Sequence, residues 1–280
     1  MKKDIYEMVT DRIIEQLEKG VVAWQKPWTG VHDGAYNRIS NKPYSLLNQM
    51  LLSKTGEYAS FKQWTELGGH IRKGEKAEIV TFWKIQPIEE ENEDGEKVTK
   101  QIPLLRYYNV FHISQVEGVE PKSIDLNELQ PIEEAERIKI EYMKREHIKI
   151  LEKVTDKAFY SPLLDYIQIP CKEQYQNIEE FYSTLFHEMT HSTGHKVRLD
   201  REDVKDCMYK GDENYSKEEL CAELGSAFLI NKLGIESSKS FNNSTAYIQS
   251  WLRVLRNDKK FIISASSRAE KAVKYILNEQ

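Results

Sequence analysis

The chain has 280 residues, 40% of them hydrophobic and 30% charged, with a net charge of −5. This balance excludes a disordered or membrane-embedded chain, and the weak negative charge means that any nucleic-acid binding has to be local. The three cysteines, Cys171, Cys207 and Cys221, are odd in number and widely spaced. That excludes a disulfide framework and a cysteine-rich metal site. No apolar leader or membrane-length run stands in the sequence, so a cytoplasmic protein of two domains without a membrane partner is expected.

Residues 4–19 read as an amphipathic helix, with Ile5, Met8, Val9, Ile13 and Leu17 on one stripe and Gly20 as the stop. An irregular aromatic segment follows, with Trp24, Lys26, Pro27 and Trp28 and then Tyr36, Arg38 and Tyr44. Short helices are predicted over 45–54 and 60–67, the second ended by Gly68 and Gly69. Arg72, Lys73 and Lys76 form a basic turn before strands at 77–85 and 104–113, which flank an acidic loop at 89–96. Periodicity lapses over 116–130. A linker there divides an N-terminal domain, 1–120, from a C-terminal one, 131–280. Residues 132–153 read as one long charged helix. Tyr166–Ile169 reads as a short strand, open at an edge. Helices follow at 177–193, 216–233, 245–256 and 267–277.

Within the helix that begins near Asn177 stands His187-Glu188-Met189-Thr190-His191. Helical positions i and i+4 share a face, so His187 and His191 present two imidazoles to one point. Such a pair suits a zinc ion with an open coordination position, and Glu188 beside it is placed as the general base. Asn177 with Glu180 gives a capping-box start, and Gly194 gives the stop.

A third ligand is required. Val197 stands where a third histidine of the extended motif would fall, His195 lies beyond the helix stop, and Asp200 reads as a partner of Arg198 or Arg201. Glu218, Glu219 and Glu223 remain, on the next helix. Glu219 and Glu223, four apart, suit a ligand and a carboxylate that holds the far nitrogen of a ligating histidine. Ser216 with Glu219 would also make a capping box, leaving Glu223 as the ligand. Glu219 is the preferred ligand and Glu223 the supporting or alternative one.

The stretches Phe186–His195, Arg198–Arg201, Tyr215–Gly225 and Trp251–Asp258 resemble the zincin-like metallopeptidase domain of the ArdC-type antirestriction proteins. Gly20–Trp28, Lys42–Tyr44, Gly68–Glu75, Tyr108–Phe111 and Gln115–Gly118 resemble that family's single-stranded-DNA-binding domain, which it shares with some plasmid primases. Ala23 departs from the family's usual proline. The resemblance implies an α+β chain of two domains: an α+β DNA-binding domain and a mainly helical zincin-like domain with a small sheet. It also implies a protein of plasmids, phages or integrating elements that shields incoming DNA from host restriction.

The residues themselves give a weaker version of the DNA reading. Over 21–84, nine Lys and Arg face five Asp and Glu. Trp24, Trp28, Tyr36, Trp64, Tyr107 and Tyr108 are the rings interleaved with this surface that could take bases, while Lys26, Arg38, Arg72, Lys73 and Lys76 offer charges for phosphates. Single strands are the expected partner, with duplex DNA bound more weakly. Trp64, Trp83 and Phe111 read as core. The alternative function is a DNA-tethered zinc peptidase acting on a protein substrate.

Overall fold

The computed structural model describes residues 4–19, 34–91, 97–122, 131–175, 177–201, 213–235 and 245–279. Helix α1, Ile5–Glu18, is capped by Asp4 and buries Val9, Ile13, Ile14 and Leu17. The predicted amphipathic stripe is thus its inward face. A sheet in the order β1-β2-β5-β4 follows, made from Ala35–Asn37, Gly56–Ala59, Lys97–His112 and Glu78–Glu91 respectively. Short helices α2, Leu46–Leu51, and α3, Phe61–Glu66, stand between its strands. Ser60 and Gln63 close a reciprocal capping box on α3. A two-stranded ladder joins β3, His70–Ile71, to β6, Val116–Glu117.

Strands β4 and β5 pair antiparallel from Glu78↔Val110 to Glu91↔Lys97 without a bulge. They are longer than the sequence reading of 77–85 and 104–113, and they run through part of its acidic loop. Residues 92–96 of that loop lie outside the described residues. Trp83, read as core, is 49% exposed on this hairpin, because β4 runs past the helices that cover its base. Trp64 is fully buried, its indole N–H donating to the Phe111 carbonyl at 2.9 Å.

The C-terminal part begins with α4, Pro131–Glu146. The single long helix expected over 132–153 stops there. His147 adopts a left-handed backbone, φ 55°, and the chain continues as β7, Lys149–Lys153. With β8, Phe159–Ser161, and β9, Tyr166–Pro170, it forms a sheet in the order β7-β9-β8. Strand β9 is therefore central, parallel to β7 and antiparallel to β8, and not the edge that the sequence suggested. Helices α5, Ile178–Thr193, α6, Glu213–Lys232, α7, Thr245–Asn257, and α8, Phe261–Leu277, complete it.

One hydrophobic core joins the two parts. Val9, Ile13 and Leu17 of α1, Leu46 and Met50 of α2 and Leu105 of β5 pack with Leu220, Leu224, Trp251, Leu255 and Ile262 of α6 to α8. Polar contacts cross the same seam: the Thr10 hydroxyl donates to the Lys259 carbonyl at 2.6 Å, and Glu270 accepts from the Leu46 N–H at the start of α2. A second core, with Tyr142, Ile167, Phe186, Met189, Leu229 and Val273, seats α5 between its sheet and helices α4, α6 and α8.

Candidate metal centre

Helix α5 begins as its sequence demands. The Asn177 side chain accepts from the Glu180 N–H at 2.9 Å and donates to its carboxylate at 3.2 Å. Phe181, Leu185, Phe186 and Met189 bury one face, which fixes the helix rotation and turns His187 and His191 outward together. Their Nε2 atoms face each other at 3.1 Å.

Helix α6 supplies the third donor. It starts at Glu213, so Ser216 lies inside it and is not its cap. That leaves Glu219 available for the cleft. The Glu219 oxygens lie 3.6 Å from His187 Nε2 and 3.5 Å from His191 Nε2. The two helices can cross this closely because Gly225 carries no side chain: a Cβ there would meet Thr190 at 2.6 Å. Ser226 adds a hydrogen bond from its hydroxyl to the Ser183 carbonyl, 2.7 Å.

The His187 separation is to Glu219 Oε2 and the His191 separation to its Oε1, so the carboxylate straddles the two imidazoles with both oxygens turned to the space where an ion would sit. These three donor groups all lie within 4.8 Å of one another, forming a metal-coordinating triad. The electrostatics point the same way. Burial opposes a charge on His187, yet its hydrogen bond to Glu219 and the charges of Glu223, Glu188 and Glu219 push its pKa up to about 9. The carboxylates that favour a proton on His187 would equally favour a metal cation between the two imidazoles.

A carboxylate stands behind each histidine, hydrogen-bonded in the case of His191. Glu218 accepts from His191 Nδ1 at 3.1 Å and is gripped by Arg201 through its Nε, 3.0 Å, and its Nη2, 2.5 Å. Burial disfavours its charge, but His191 and Arg201 outweigh it and hold the carboxyl below its ordinary pKa. Arg201 is itself fixed by Thr193 Oγ1 and the Thr190 carbonyl. Glu223 lies 3.8 Å from His187 Nδ1, with burial raising its pKa, and its second oxygen is buried without a hydrogen bond. Both Glu218 and Glu223 thus stand behind the triad, one per histidine, where sequence reasoning assigned that role to Glu223 alone. Its only signals were the Glu218–Glu219 doublet and the Arg198–Arg201 run. Arg198 turns to Asp165 and Glu146, and Arg201 turns to Glu218. Glu188 is buried beside the triad, next in sequence to His187.

The proposed DNA residues are more scattered. Trp24, Lys26 and Trp28 lie outside the described residues. Tyr36 is on β1, its hydroxyl pKa raised by burial and by Glu57. Arg38 pairs with the buried Glu57, a tie that competes with phosphate. Arg72 is exposed but bonded to Glu75, 2.7 Å, and to the Ser114 carbonyl. Lys73 and Lys76 are exposed in the same turn, and Tyr107 is exposed on the hairpin.

Two family models match the chain: the N-terminal domain of anti-restriction factor ArdC over residues 3–111, and a zincin-like metallopeptidase over 136–268. Two DNA primases TraC from Escherichia coli are 33% and 32% identical over 99% of this chain, which spans only 27% and 20% of their lengths. The protein y4eC of Sinorhizobium fredii is 31% identical over 99% of this chain and 92% of its own. Crystal structures of the antirestriction ArdC protein from plasmid R388 match at 33% and 32% identity, each covering 99% of this chain. The metal-free form has a TM-score of 0.75 and is covered over its whole length; the Mn(II)-bound form has a TM-score of 0.76 and is covered over 98%. With both of its parts matched by family models and nearly its whole length matched by a solved antirestriction ArdC protein, the chain belongs to the ArdC antirestriction family.

Proposed function

We propose that this chain is a single-stranded-DNA-binding antirestriction protein of a mobile element, which shields incoming DNA in the cytoplasm and carries a zinc metallopeptidase-type site. The observation that carries this reading is its likeness, along 99% of its length, to the antirestriction ArdC protein of a plasmid. Residues 1–120 would supply the DNA surface, using Trp24, Lys26, Trp28, Tyr36, Arg38, Arg72, Lys73, Lys76 and Tyr107, with duplex bound more weakly. Residues 131–280 would supply the metal site. His187, His191 and Glu219 are the ligands in this reading, and Glu188 is the general base. Two imidazoles and a carboxylate favour zinc, which also binds such donors more tightly than manganese does. An ion held there supplies Lewis acidity to a carbonyl and to water.

A second reading, a DNA-tethered peptidase acting on a host or element protein, is favoured by Glu188, a base that a purely structural zinc site has no need of. The edge strand β8, packed beside α5, would then receive an extended peptide by backbone pairing. Glu188→Gln separates the two readings. It is expected to retain metal, fold and DNA binding, to lose any proteolysis including self-cleavage, and to protect single-stranded DNA from a nuclease as well as the parent does. Loss of protection in a folded, DNA-binding Glu188→Gln protein would make the peptidase the primary function.

A further inference from the structure

The β4–β5 hairpin carries, on the face opposite Tyr107, a surface that the metal site and the basic turn leave unused. Cross-strand partners share a face and alternate along each strand, so even-numbered residues point one way and odd-numbered ones the other. At the base, the even face is buried through Val80 and Val110 against Tyr44 and Tyr58. The odd face is buried through Thr81, which Asn48 holds, and through Leu105 in the shared core. Past that base both faces open to solvent, and they differ in chemistry.

The even face presents Phe82, 42% exposed, against Tyr108, 37% exposed, with ring centroids 5.6 Å apart. Arg106 stands directly opposite Phe82, and Lys84 follows one rung further out, opposite Leu104. Both cations are exposed, and among the described residues neither has a carboxylate partner. The odd face, over residues 79–87 and 99–109, has the rings of Trp83 and Tyr107 but no charged residue. Two rings and two uncompensated cations therefore sit on one face within three rungs, about 14 Å at ~3.4 Å per residue. Unpaired bases stack on exposed rings while Lys and Arg track the phosphates, a combination that a protein docking surface does not require.

We propose that the even face of this hairpin is a single-strand binding site, with bases on Phe82 and Tyr108 and phosphates on Arg106 and Lys84. This rests on the single-strand reading above and names a surface for it that is separate from the Arg72–Lys76 turn. The test uses the full chain, a fluorescent single-stranded oligonucleotide and anisotropy over a salt series. Phe82→Ala is expected to weaken binding roughly tenfold with the salt slope unchanged. Lys84→Ala with Arg106→Ala is expected to flatten the slope by about 1.4, the share of two single-strand phosphate contacts. Trp83→Ala, on the uncharged face that also carries Tyr107, is expected to lose less affinity than Phe82→Ala does. All four side chains are exposed, so each variant is expected to fold, which melting curves check. Parental affinity and slope in both the Phe82 and the double variants would overturn the assignment, as would an equal loss from Trp83→Ala. A parent that binds no single strand at low salt would instead remove the reading on which the site rests.

Discussion

At the scale of single residues, the site separates donors from the groups that hold them. Glu219 approaches both imidazoles on their inner nitrogens, whereas Glu218 and Glu223 stand at the outer nitrogens of His191 and His187. Glu219→Ala is therefore expected to abolish stoichiometric metal uptake. Glu218→Ala and Glu223→Ala are expected to retain an ion with affinity reduced about 10–100-fold. Metal analysis after competition with a chromophoric chelator measures all three, and the parent is expected to prefer zinc to manganese. Full occupancy in Glu219→Ala would reassign the ligand. His187, Glu188 and His191 were legible because their geometry is set by helical spacing alone. Glu218 was not, because its role depends on how α6 crosses α5, and that depends on the contact of Gly225 with Thr190.

Among the elements, α4 is anchored to the site helix by one carboxylate. Glu136 accepts from the Tyr182 hydroxyl at 2.8 Å, from Lys172 at 3.0 Å and from Lys139 at 3.1 Å. Burial raises its pKa, but those three donors outweigh burial and lower it to about 2. A lowered folded-state value means that the stabilisation is complete above the ordinary carboxylate pKa of about 4.5 and is lost as pH falls toward 2. Discounted for its one-third exposure, it amounts to about 1–2 kcal/mol. Glu136→Gln is expected to lower the melting temperature at pH 7 and to match the parent near pH 2, a comparison that circular dichroism makes directly. The strand after α4 escaped the sequence reading for a local reason. His147 takes the left-handed turn that a glycine or asparagine would have announced, and the alternation Ile148-Lys149-Ile150 fits a helix as well as a strand.

For the whole molecule, the composition break at 116–130 is not a break in the core. Separating the chain there would bare Val9, Ile13, Leu46 and Leu105 on one fragment and Leu220, Leu224 and Leu255 on the other. The intact chain is accordingly expected to unfold in one cooperative transition, with tryptophan fluorescence and far-ultraviolet dichroism superimposing. Two resolved transitions would show that the seam contributes little. The sequence marked where the two chemistries lie, since motifs are local. It did not mark the seam, because the stripe on α1 states that a partner exists without stating which one.

That shared core also limits how this protein can be rearranged in evolution. A recombination event that exchanged one half for a relative's would have to fit Leu17 and Leu46 against a new set of residues at 220, 224 and 255. Most such hybrids would open voids in the seam or overfill it. Inheritance as an undivided cassette is the arrangement that avoids this cost. The two DNA primases TraC, much longer than this chain, match it over 99% of its length, both halves together.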